Sequence, residues 1–317
     1  MPNISHQNDK EISKKELKQK LQEKQTQLKE LEQAGKNSQY IQTLSDIALL
    51  ELELNRYKEA EEKLKTCLVH FKKQKDKLGQ AAVLGMLGTL YYKQEGYEET
   101  IKYFEKAAEI YDQLKQKKEL ITSYKFLGEA YSNLSKREEA TDIYLKCSEL
   151  CSETNDIYNL LDCLGQLISV YEDEEQWDLV YELYLKVLEA FQELDDTRGI
   201  VNTYFNLGIL EGKKLEDDQQ ALDSFKRGTN AAIDANYAEM IIKGLSYVGE
   251  TLFRLDKNKE AKHQFIRALD LSKKVGAKNA KLQIELLLKS TGLTDEDLKK
   301  RLNEYRNTKD QEELLNS

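Results

Sequence analysis

The sequence predicts an all-α protein, a solenoid in which antiparallel helix pairs stack one on the next. The first observation is a repeat of about 40 residues, marked by an apolar residue that is followed in most copies by a small one. It occurs at Ile47-Ala48, Leu87-Gly88, Leu127-Gly128, Leu167-Ile168, Leu207-Gly208 and Val248-Gly249. The second observation is the composition of the 317 residues: 33% are charged, 40% are apolar and one is proline, which suits amphipathic helices. A fixed period of this size indicates an array in which each repeat packs on its neighbours.

Each repeat is predicted to contain two helices, A and B, joined by a polar turn. In helix A an aromatic residue follows the small residue on the same helix face, as at Tyr91, Tyr131 and Tyr171. Helix B has a small residue, a large one and a small one. This pattern occurs at Ala60-Leu64-Cys67, Thr100-Phe104-Ala107, Ala140-Tyr144-Cys147, Ala221-Phe225-Gly228 and Ala261-Phe265-Ala268. The small residues allow the two helices to approach closely, and we expect the large residue to fill the gap between them.

Six helix-turn-helix repeats are predicted, at residues 41–80, 81–120, 121–160, 161–200, 201–241 and 242–281. Before them we expect a disordered leader at residues 1–11 and a charged helix at residues 12–40. After them, residues 280–317 are expected to form capping helices, with Thr294 as an N-cap, and a frayed tail. Repeat 4 departs from the pattern because Ile168 replaces the usual glycine. Repeat 5 has Glu211 in place of the aromatic residue and one extra turn residue near Glu216.

The composition also disfavours several functional classes. A net charge of −9 argues against general binding to nucleic acids or to anionic membranes. We find no signal peptide and no apolar run of the length that crosses a membrane. The four cysteines lack the spacing of a disulfide framework, which favours a reducing, cytoplasmic location.

Residues with catalytic or metal-binding chemistry are few, and their pattern favours packing. The three histidines, His6, His70 and His263, lie in distant repeats or in the leader. A thiolate metal site is conceivable at Cys147, Cys151 and Cys163. We favour buried packing instead, because Cys147 occupies the small-residue position of helix B, as Cys67 does in repeat 1. The sequence therefore predicts no enzyme, no cofactor and no metal site.

These motifs resemble those of tetratricopeptide repeats (TPR). The resemblance rests on Leu-Gly-x-x-Tyr in helix A and Ala-x3-Phe-x2-Ala in helix B, and it covers roughly residues 40–281. The usual TPR has 34 residues and often ends in proline. The longer proline-free repeats here are similar to those of kinesin light chains, Pins-type polarity adaptors and bacterial peptide-sensing Rap-type regulators. The resemblance implies a right-handed superhelix, in which the A helices line a concave groove.

The resemblance also implies which residues face that groove. The candidates for partner binding are Tyr92, Lys93, Lys125, Glu129, Asn133, Asn202, Asn206, Lys213, Lys243, Tyr247 and Arg254, with Gln166, Glu172, Asp173 and Glu250 on the same helix faces. Asn202 and Asn206 lie one helical turn apart, and their amides could hold a peptide backbone. Lys213, Lys243 and Arg254 would suit a partner segment that bears carboxylates or a free C-terminus.

The leading functional hypothesis is a non-enzymatic adaptor or scaffold that binds a peptide segment of a partner protein in the groove. One alternative is a peptide-sensing regulator of the Rap or Rgg type. Such regulators usually carry an effector domain before the repeats, and the stretch of about 40 residues here is expected to be too short for one. Another alternative is a structural protein that assembles with itself, although we favour a monomer.

Overall fold

The computed structural model describes residues 4–33, 35 and 37–315, with side chains described between residues 14 and 308. Every regular element in this part of the chain is an α-helix, which confirms the predicted all-α class. The helices are α1 (Ile4–Gln33), α2 (Ser38–Glu53), α3 (Tyr57–Lys73), α4 (Lys77–Lys93), α5 (Tyr97–Gln113), α6 (Lys117–Asn133), α7 (Arg137–Glu153), α8 (Ile157–Asp173), α9 (Trp177–Glu193), α10 (Thr197–Lys213), α11 (Asp218–Asp234), α12 (Ala238–Arg254), α13 (Asn258–Lys274), α14 (Lys278–Ser290) and α15 (Asp295–Leu315).

The chain forms two compact bodies, Met1–Cys163 and Leu164–Ser317, whose boundary falls within α8. We call them the N-terminal body and the C-terminal body. In the first, α1 to α7 pack each on the next. In the second, α9 to α14 pack in the same way, and α15 lies against α13. Within the described residues, none of the helices has the length and apolar character needed to cross a membrane.

Helices A and B alternate along the chain as predicted, but the repeat boundaries differ. Helix A of repeat 2 is α4, which begins at Lys77 rather than at residue 81. The side chain of Asp76 explains this start, because it accepts a hydrogen bond from the backbone N–H of Gly79 and so caps the helix. Helices α6, α8, α10 and α12 likewise begin four residues before the predicted boundaries. Each predicted boundary therefore cuts through the first turn of a helix.

The same short turn joins A to B and B to the next A. At the end of α2, for example, the N–H of Arg56 donates to the carbonyl of Glu51 at 2.8 Å, and Asn55 has a positive φ of 59°. This pattern is a Schellman motif, which satisfies the last carbonyl groups of the helix. Equivalent positive-φ residues follow at Lys75, Glu95, Lys115, Ser135, Asn155, Glu175, Asp195, Glu216, Asn236 and Asp256. The turn after α10 has one additional residue, which confirms the insertion predicted near Glu216.

The packing between helices A and B follows the predicted pairing of glycine with a large residue. A Cβ at Gly128 would lie 2.4 Å from Cε1 of Tyr144. The same steric relationship joins Gly88 to Phe104, Gly208 to Phe225 and Gly249 to Phe265. Because a side chain of any size would collide with the ring, glycine is what allows these helices to close. In repeat 1 the large residue is the smaller Leu64, and Ala48 occupies the glycine position.

The two ends of the chain differ in part from the prediction. Residues 1–3 lie outside the described residues, and α1 already begins at Ile4, within the predicted disordered leader. No proline or glycine interrupts the chain between these residues and Gln33. The predicted frayed tail is also helical, since α15 extends to Leu315.

The predicted capping function of the C-terminal helices is consistent with their packing. Ile284 of α14 and Leu298 and Leu302 of α15 are buried in the same apolar cluster as Leu269 of α13. Thr294 is the N-cap of α15, as predicted, because its hydroxyl accepts a hydrogen bond from the N–H of Asp297 at 3.2 Å. The carboxylate of Asp297 in turn accepts from the N–H of Thr294 at 3.0 Å, which completes a capping box.

Candidate functional site

The predicted groove residues fall into the two bodies. Tyr92, Lys93, Lys125, Glu129 and Asn133 belong to the N-terminal body, and Asn202, Asn206, Lys213, Lys243, Tyr247 and Arg254 belong to the C-terminal body. The predicted groove residues thus form two separate sets, one in each body.

In the N-terminal body the predicted cations already have partners within the fold. The ammonium of Lys93 lies 3.3 Å from a carboxylate oxygen of Glu53. The ammonium of Lys125 lies 2.7 Å from Asp162 and donates to the side-chain oxygen of Asn159 at 2.8 Å. Both ion pairs join the A helices of successive repeats. Each pair links neighbouring repeats. Lys93 and Lys125 would therefore have to leave their carboxylates before they could bind a partner.

Tyr92 and Glu129 form a similar link between α4 and α6. A hydrogen bond to Glu129, together with burial, raises the pKa of the Tyr92 hydroxyl. The ring of Tyr92 also packs edge-on against Phe126, with their centroids 5.1 Å apart. Asn133 donates to the backbone carbonyl of Glu129 on its own helix at 2.8 Å. This part of the predicted site therefore contributes to packing between repeats.

In the C-terminal body two of the three predicted cations lie near acidic groups. Arg254 forms a 2.6 Å ion pair with Asp218 at the start of α11. Lys213 lies near Glu250, a half-buried residue of α12. Burial raises the pKa of the Glu250 carboxyl, whereas the charges of Arg254 and Lys213 lower it. Nearby carboxylates thus offset most of the positive charge that the sequence predicts for this half of the groove.

Lys243 is the exception among the predicted cations. Its side chain is exposed, and the ammonium lies 5.7 Å from the ring centroid of Phe205 and 5.6 Å from that of Tyr247. Among the described residues no carboxylate forms an ion pair with it. The Tyr247 ring is itself held against Phe225, with centroids 4.7 Å apart. Lys243 therefore presents a charge without an ion-pair partner, beside the rings of Phe205 and Tyr247.

A groove of about 780 Å³ opens beside Lys243 and Tyr247, between α12 and α14. Its volume falls in the range that ligand sites occupy. Helix α12 contributes Glu239, Ile242, Lys243, Ser246, Tyr247 and Glu250, and helix α14 contributes Ala280, Gln283, Ile284, Leu286, Leu287 and Ser290. The side chain of Leu286 is 59% exposed, so the wall on the α14 side is apolar and open to solvent. Sequence reasoning missed these α14 residues because it treated the helix as a cap.

Asn202 and Asn206 lie on α10, the A helix that precedes α12. Both are exposed, and neither side chain forms a hydrogen bond with another described residue. Between them in the sequence, Phe205 points into the core and packs against Tyr247, with centroids 5.6 Å apart. The two amides thus lie on the helix that supports the aromatic side of the groove, with their hydrogen-bonding capacity unused.

The remaining residues predicted to face inward have less distinctive surroundings. Gln166 is exposed on α8. Glu172 accepts a hydrogen bond from the hydroxyl of Tyr184 at 3.5 Å, and this bond joins helices A and B of repeat 4. The α12–α14 groove, with Lys243 and Tyr247 from the predicted set, is therefore the candidate site that the structure favours.

Comparison with known proteins agrees with this architecture. The family model "Tetratricopeptide repeat" matches residues 79–153, which covers α4 to α7. This stretch of the chain consists of tetratricopeptide repeats. The turns and the glycine–aromatic pairs of these helices recur in the repeats on either side. The helix pairs of the C-terminal body thus share this packing pattern.

Several similar proteins are known, and all of those named below are distant. The chain is 24% identical over 131 residues to the regulatory protein RapD of Bacillus subtilis, a match that covers 41% of this chain and 37% of RapD. The chain therefore aligns with little more than a third of that relative. Among solved structures, BtubC of P. vanneervenii is 16% identical with a TM-score of 0.45, covering 74% of this chain and 92% of BtubC. Aspartyl phosphate phosphatase F of Bacillus subtilis is 13% identical with a TM-score of 0.46, covering 81% of this chain and 71% of that protein.

Proposed function

We propose that the protein is a non-enzymatic adaptor that binds a peptide segment of a partner protein in the α12–α14 groove. The observation that carries this proposal is that Lys243, a cation without an ion-pair partner, lies across a groove of about 780 Å³ from an open apolar wall at Leu286. Solenoid proteins commonly use extended surfaces of this kind for binding. We further propose that the protein acts in the cytoplasm as a monomer.

The lining of the groove indicates the chemistry of the peptide. Leu286 and Leu287 would accept one or two apolar side chains, as helix-groove and peptide-groove interfaces do. Lys243 would pair with a carboxylate, either an Asp or Glu side chain or a free C-terminus, because charge-assisted hydrogen bonds are stronger than neutral ones. Asn202 and Asn206 supply amide donors and acceptors on the adjacent helix. We therefore infer a short acidic segment with an apolar anchor.

Glu239 and Glu250 contribute to specificity in this proposal. Both carboxyl groups line the same groove as Lys243. A peptide shifted along the groove would place its acidic residue against Glu250 rather than beside Lys243, which costs electrostatic energy. The groove would thus select the register of the peptide as well as its composition.

The test is affinity selection from a random-peptide library against the full-length protein, followed by binding measurements on two variants. We expect the selected peptides to combine an apolar residue with a carboxylate. Lys243→Glu should weaken their binding at least tenfold, which corresponds to about 1.4 kcal/mol. The matched control is Lys226→Glu, which makes the same charge change at an exposed lysine on α11, a B helix. Equal loss in both variants, or no loss in either, would contradict the proposed site.

One alternative function has a specific observation in its favour, namely the match to the regulatory protein RapD. In that alternative the peptide would act as a signal that changes the conformation of the repeats. Small-angle scattering of the protein with and without a selected peptide separates the two functions. A change in the radius of gyration on binding favours a peptide-sensing regulator, whereas an unchanged radius favours an adaptor with a preformed groove.

A further inference from the structure

Three of the four cysteines converge in the core of the N-terminal body. Cys147 and Cys151 lie one turn apart on α7, and Cys163 lies on α8. All three side chains are buried, and their sulfur atoms lie within 4.8 Å of one another. The fourth cysteine, Cys67, is also buried, but it lies in repeat 1 and is not part of this group.

Repeat packing explains the presence of a small residue at Cys147. The thiol of Cys147 donates to the carbonyl of Ile121 at 3.8 Å, and the thiol of Cys67 donates in the same way to Ile41 at 3.7 Å. Both cysteines therefore fill the same small-residue position of helix B. This position needs a small side chain, and cysteine meets that need without any further function.

No other repeat carries cysteine at the position of Cys151 or of Cys163. The position of Cys151 holds an aromatic residue in repeats 1, 2 and 4, but it holds the small residues Ala232 and Ser272 in repeats 5 and 6. The position of Cys163 holds small or β-branched residues in the other repeats, which are Thr43, Val83, Ser123, Thr203 and Gly244. Packing therefore accepts cysteine at both positions, but it does not require three thiols whose sulfur atoms lie within 4.8 Å of one another.

The spacing of the sulfur atoms suits one shared metal ion. Metal–thiolate bonds of about 2.3 Å in a trigonal arrangement place the sulfur atoms roughly 4.0 Å apart. The observed separations of at most 4.8 Å lie within a small side-chain adjustment of that value. Among the described residues no fourth histidine, cysteine or carboxylate joins the group. Soft thiolate ligands select soft ions, and a buried site with three ligands favours Cu(I) over Zn(II), which usually takes four.

One charged pair lies beside the group. Lys125 is held close to this region by its 2.7 Å ion pair with Asp162, the residue that precedes Cys163. The pair therefore places one positive and one negative charge near the sulfur atoms.

We propose that Cys147, Cys151 and Cys163 form a three-thiolate site for a soft, thiophilic metal ion, with Cu(I) as the ion that fits it. On binding, the three S–H bonds lose their protons to solvent and three metal–sulfur bonds form, so that binding releases up to three protons and involves no change of oxidation state. The bound ion would join α7 to the first two turns of α8, within the N-terminal body. This site is independent of the α12–α14 groove.

The test is an anaerobic titration of the reduced full-length protein with Cu(I), in competition with a chromophoric Cu(I) chelator. We expect one equivalent to bind with high affinity and the melting temperature to rise, because a ligand that binds the folded state stabilises it. X-ray absorption of the complex should show three sulfur neighbours. Parallel titration with Zn(II) should give weaker binding.

The variants use residues that other repeats already carry at the same positions. Cys163→Ser introduces the residue of Ser123, and Cys147→Ala introduces that of Ala107, so both should fold. Each should abolish tight Cu(I) binding and the thermal shift, whereas Cys67→Ala, the matched control, should leave both unchanged. Thermal melts of the metal-free variants check folding. Absence of stoichiometric binding by the wild type, or undiminished binding by a folded Cys163→Ser variant, would overturn the proposal, and tighter binding of Zn(II) would overturn the choice of ion.

Discussion

Gly128 and Tyr144 interlock across the A–B interface of repeat 3. A Cβ at residue 128 would lie 2.4 Å from Cε1 of the tyrosine ring, and Tyr144 is only 2% exposed. In repeat 1 the equivalent residues are Ala48 and Leu64, a larger and a smaller side chain than Gly128 and Tyr144, and both are fully buried. The interface therefore constrains the sum of the two side-chain volumes rather than either residue alone.

The first prediction follows from this relationship. Gly128→Ala should destabilise the protein by about 2 kcal/mol, because an added methyl group forces a buried ring to move. Combining it with Tyr144→Leu, which copies the repeat 1 pair, should recover at least about 1 kcal/mol relative to the sum of the two single changes. Denaturant unfolding of the four proteins in the cycle measures this coupling.

The control for the first prediction is Gly165→Ala. Gly165 lies within α8, and no atom outside its local helix backbone lies within 4 Å of a Cβ placed there. Alanine at this position should stabilise the helix by about 0.5–1 kcal/mol. Strictly additive effects at Gly128 and Tyr144 would show that the two side chains do not share one volume.

The second prediction concerns the turns. Lys115 has a φ of 55° and is exposed, so an L-residue there bears the strain of the left-handed region. Lys115→Gly should therefore raise the free energy of unfolding by about 0.5 kcal/mol, since relief of strain exceeds the added chain entropy. The opposite change, Gly276→Ala, acts at a φ of 73° and should cost about 1 kcal/mol. Effects of the same sign at both positions would contradict the turn geometry.

The third prediction concerns Glu211, which replaces the usual aromatic residue of helix A. Its side chain is buried, one carboxylate oxygen lacks a hydrogen-bond partner within the described part of the chain, and burial raises the pKa of the carboxyl. Because the folded-state pKa exceeds the unfolded value, ionisation of Glu211 opposes folding as pH rises through the folded-state pKa. Glu211→Gln should therefore be more stable than the wild type at neutral pH.

The pH dependence of that difference provides the check. As the pH falls below the raised pKa, Glu211 becomes protonated in the folded wild type, and the advantage of Glu211→Gln should shrink. Thermal melts of both proteins across the acidic range measure this trend. If the difference in melting temperature between the two proteins stayed constant with pH, burial of the ionised Glu211 carboxylate would not be what destabilises the wild type.

The fourth prediction concerns the C-terminal cap. Removal of residues 278–317 deletes α14 and α15 and should expose Leu269, which is now 1% exposed. It also removes Arg306, whose 2.6 Å ion pair with the buried carboxylate of Asp270 would be lost. We expect a lower melting temperature and aggregation, because an apolar face without its cap associates non-specifically. Removal of residues 309–317 alone should have little effect, and a soluble, equally stable 1–277 protein would contradict the cap.

The sequence predicts the fold well because the packing rules act within one repeat. The glycine of helix A and the aromatic of helix B lie less than half a repeat apart, so the pair at Gly128 and Tyr144 can be recognised as a local motif. The exact helix starts depend on caps such as Asp76, which the apolar pattern does not mark. The predicted repeat boundaries therefore lie one helical turn after the actual helix starts.

The candidate site is harder to predict because its charges are compensated between repeats. Arg254 forms an ion pair with Asp218, 36 residues away in the sequence, and Lys93 forms one with Glu53, 40 residues away. No local pattern in either helix distinguishes these cations from Lys243, which forms no ion pair in the described part of the chain. The apolar wall at Leu286 was likewise missed, because a capping helix and a groove wall have the same amphipathic pattern.

The most direct test of the proposed function compares peptide binding to Leu286→Glu and Leu282→Glu. The two leucines lie one turn apart on α14 and are 59% and 60% exposed, but only Leu286 lines the groove. Isothermal titration of a library-selected peptide should show at least a tenfold loss of affinity for Leu286→Glu, or about 1.4 kcal/mol, and little change for Leu282→Glu. Equal affinity of the two variants for the peptide would contradict a binding site between α12 and α14.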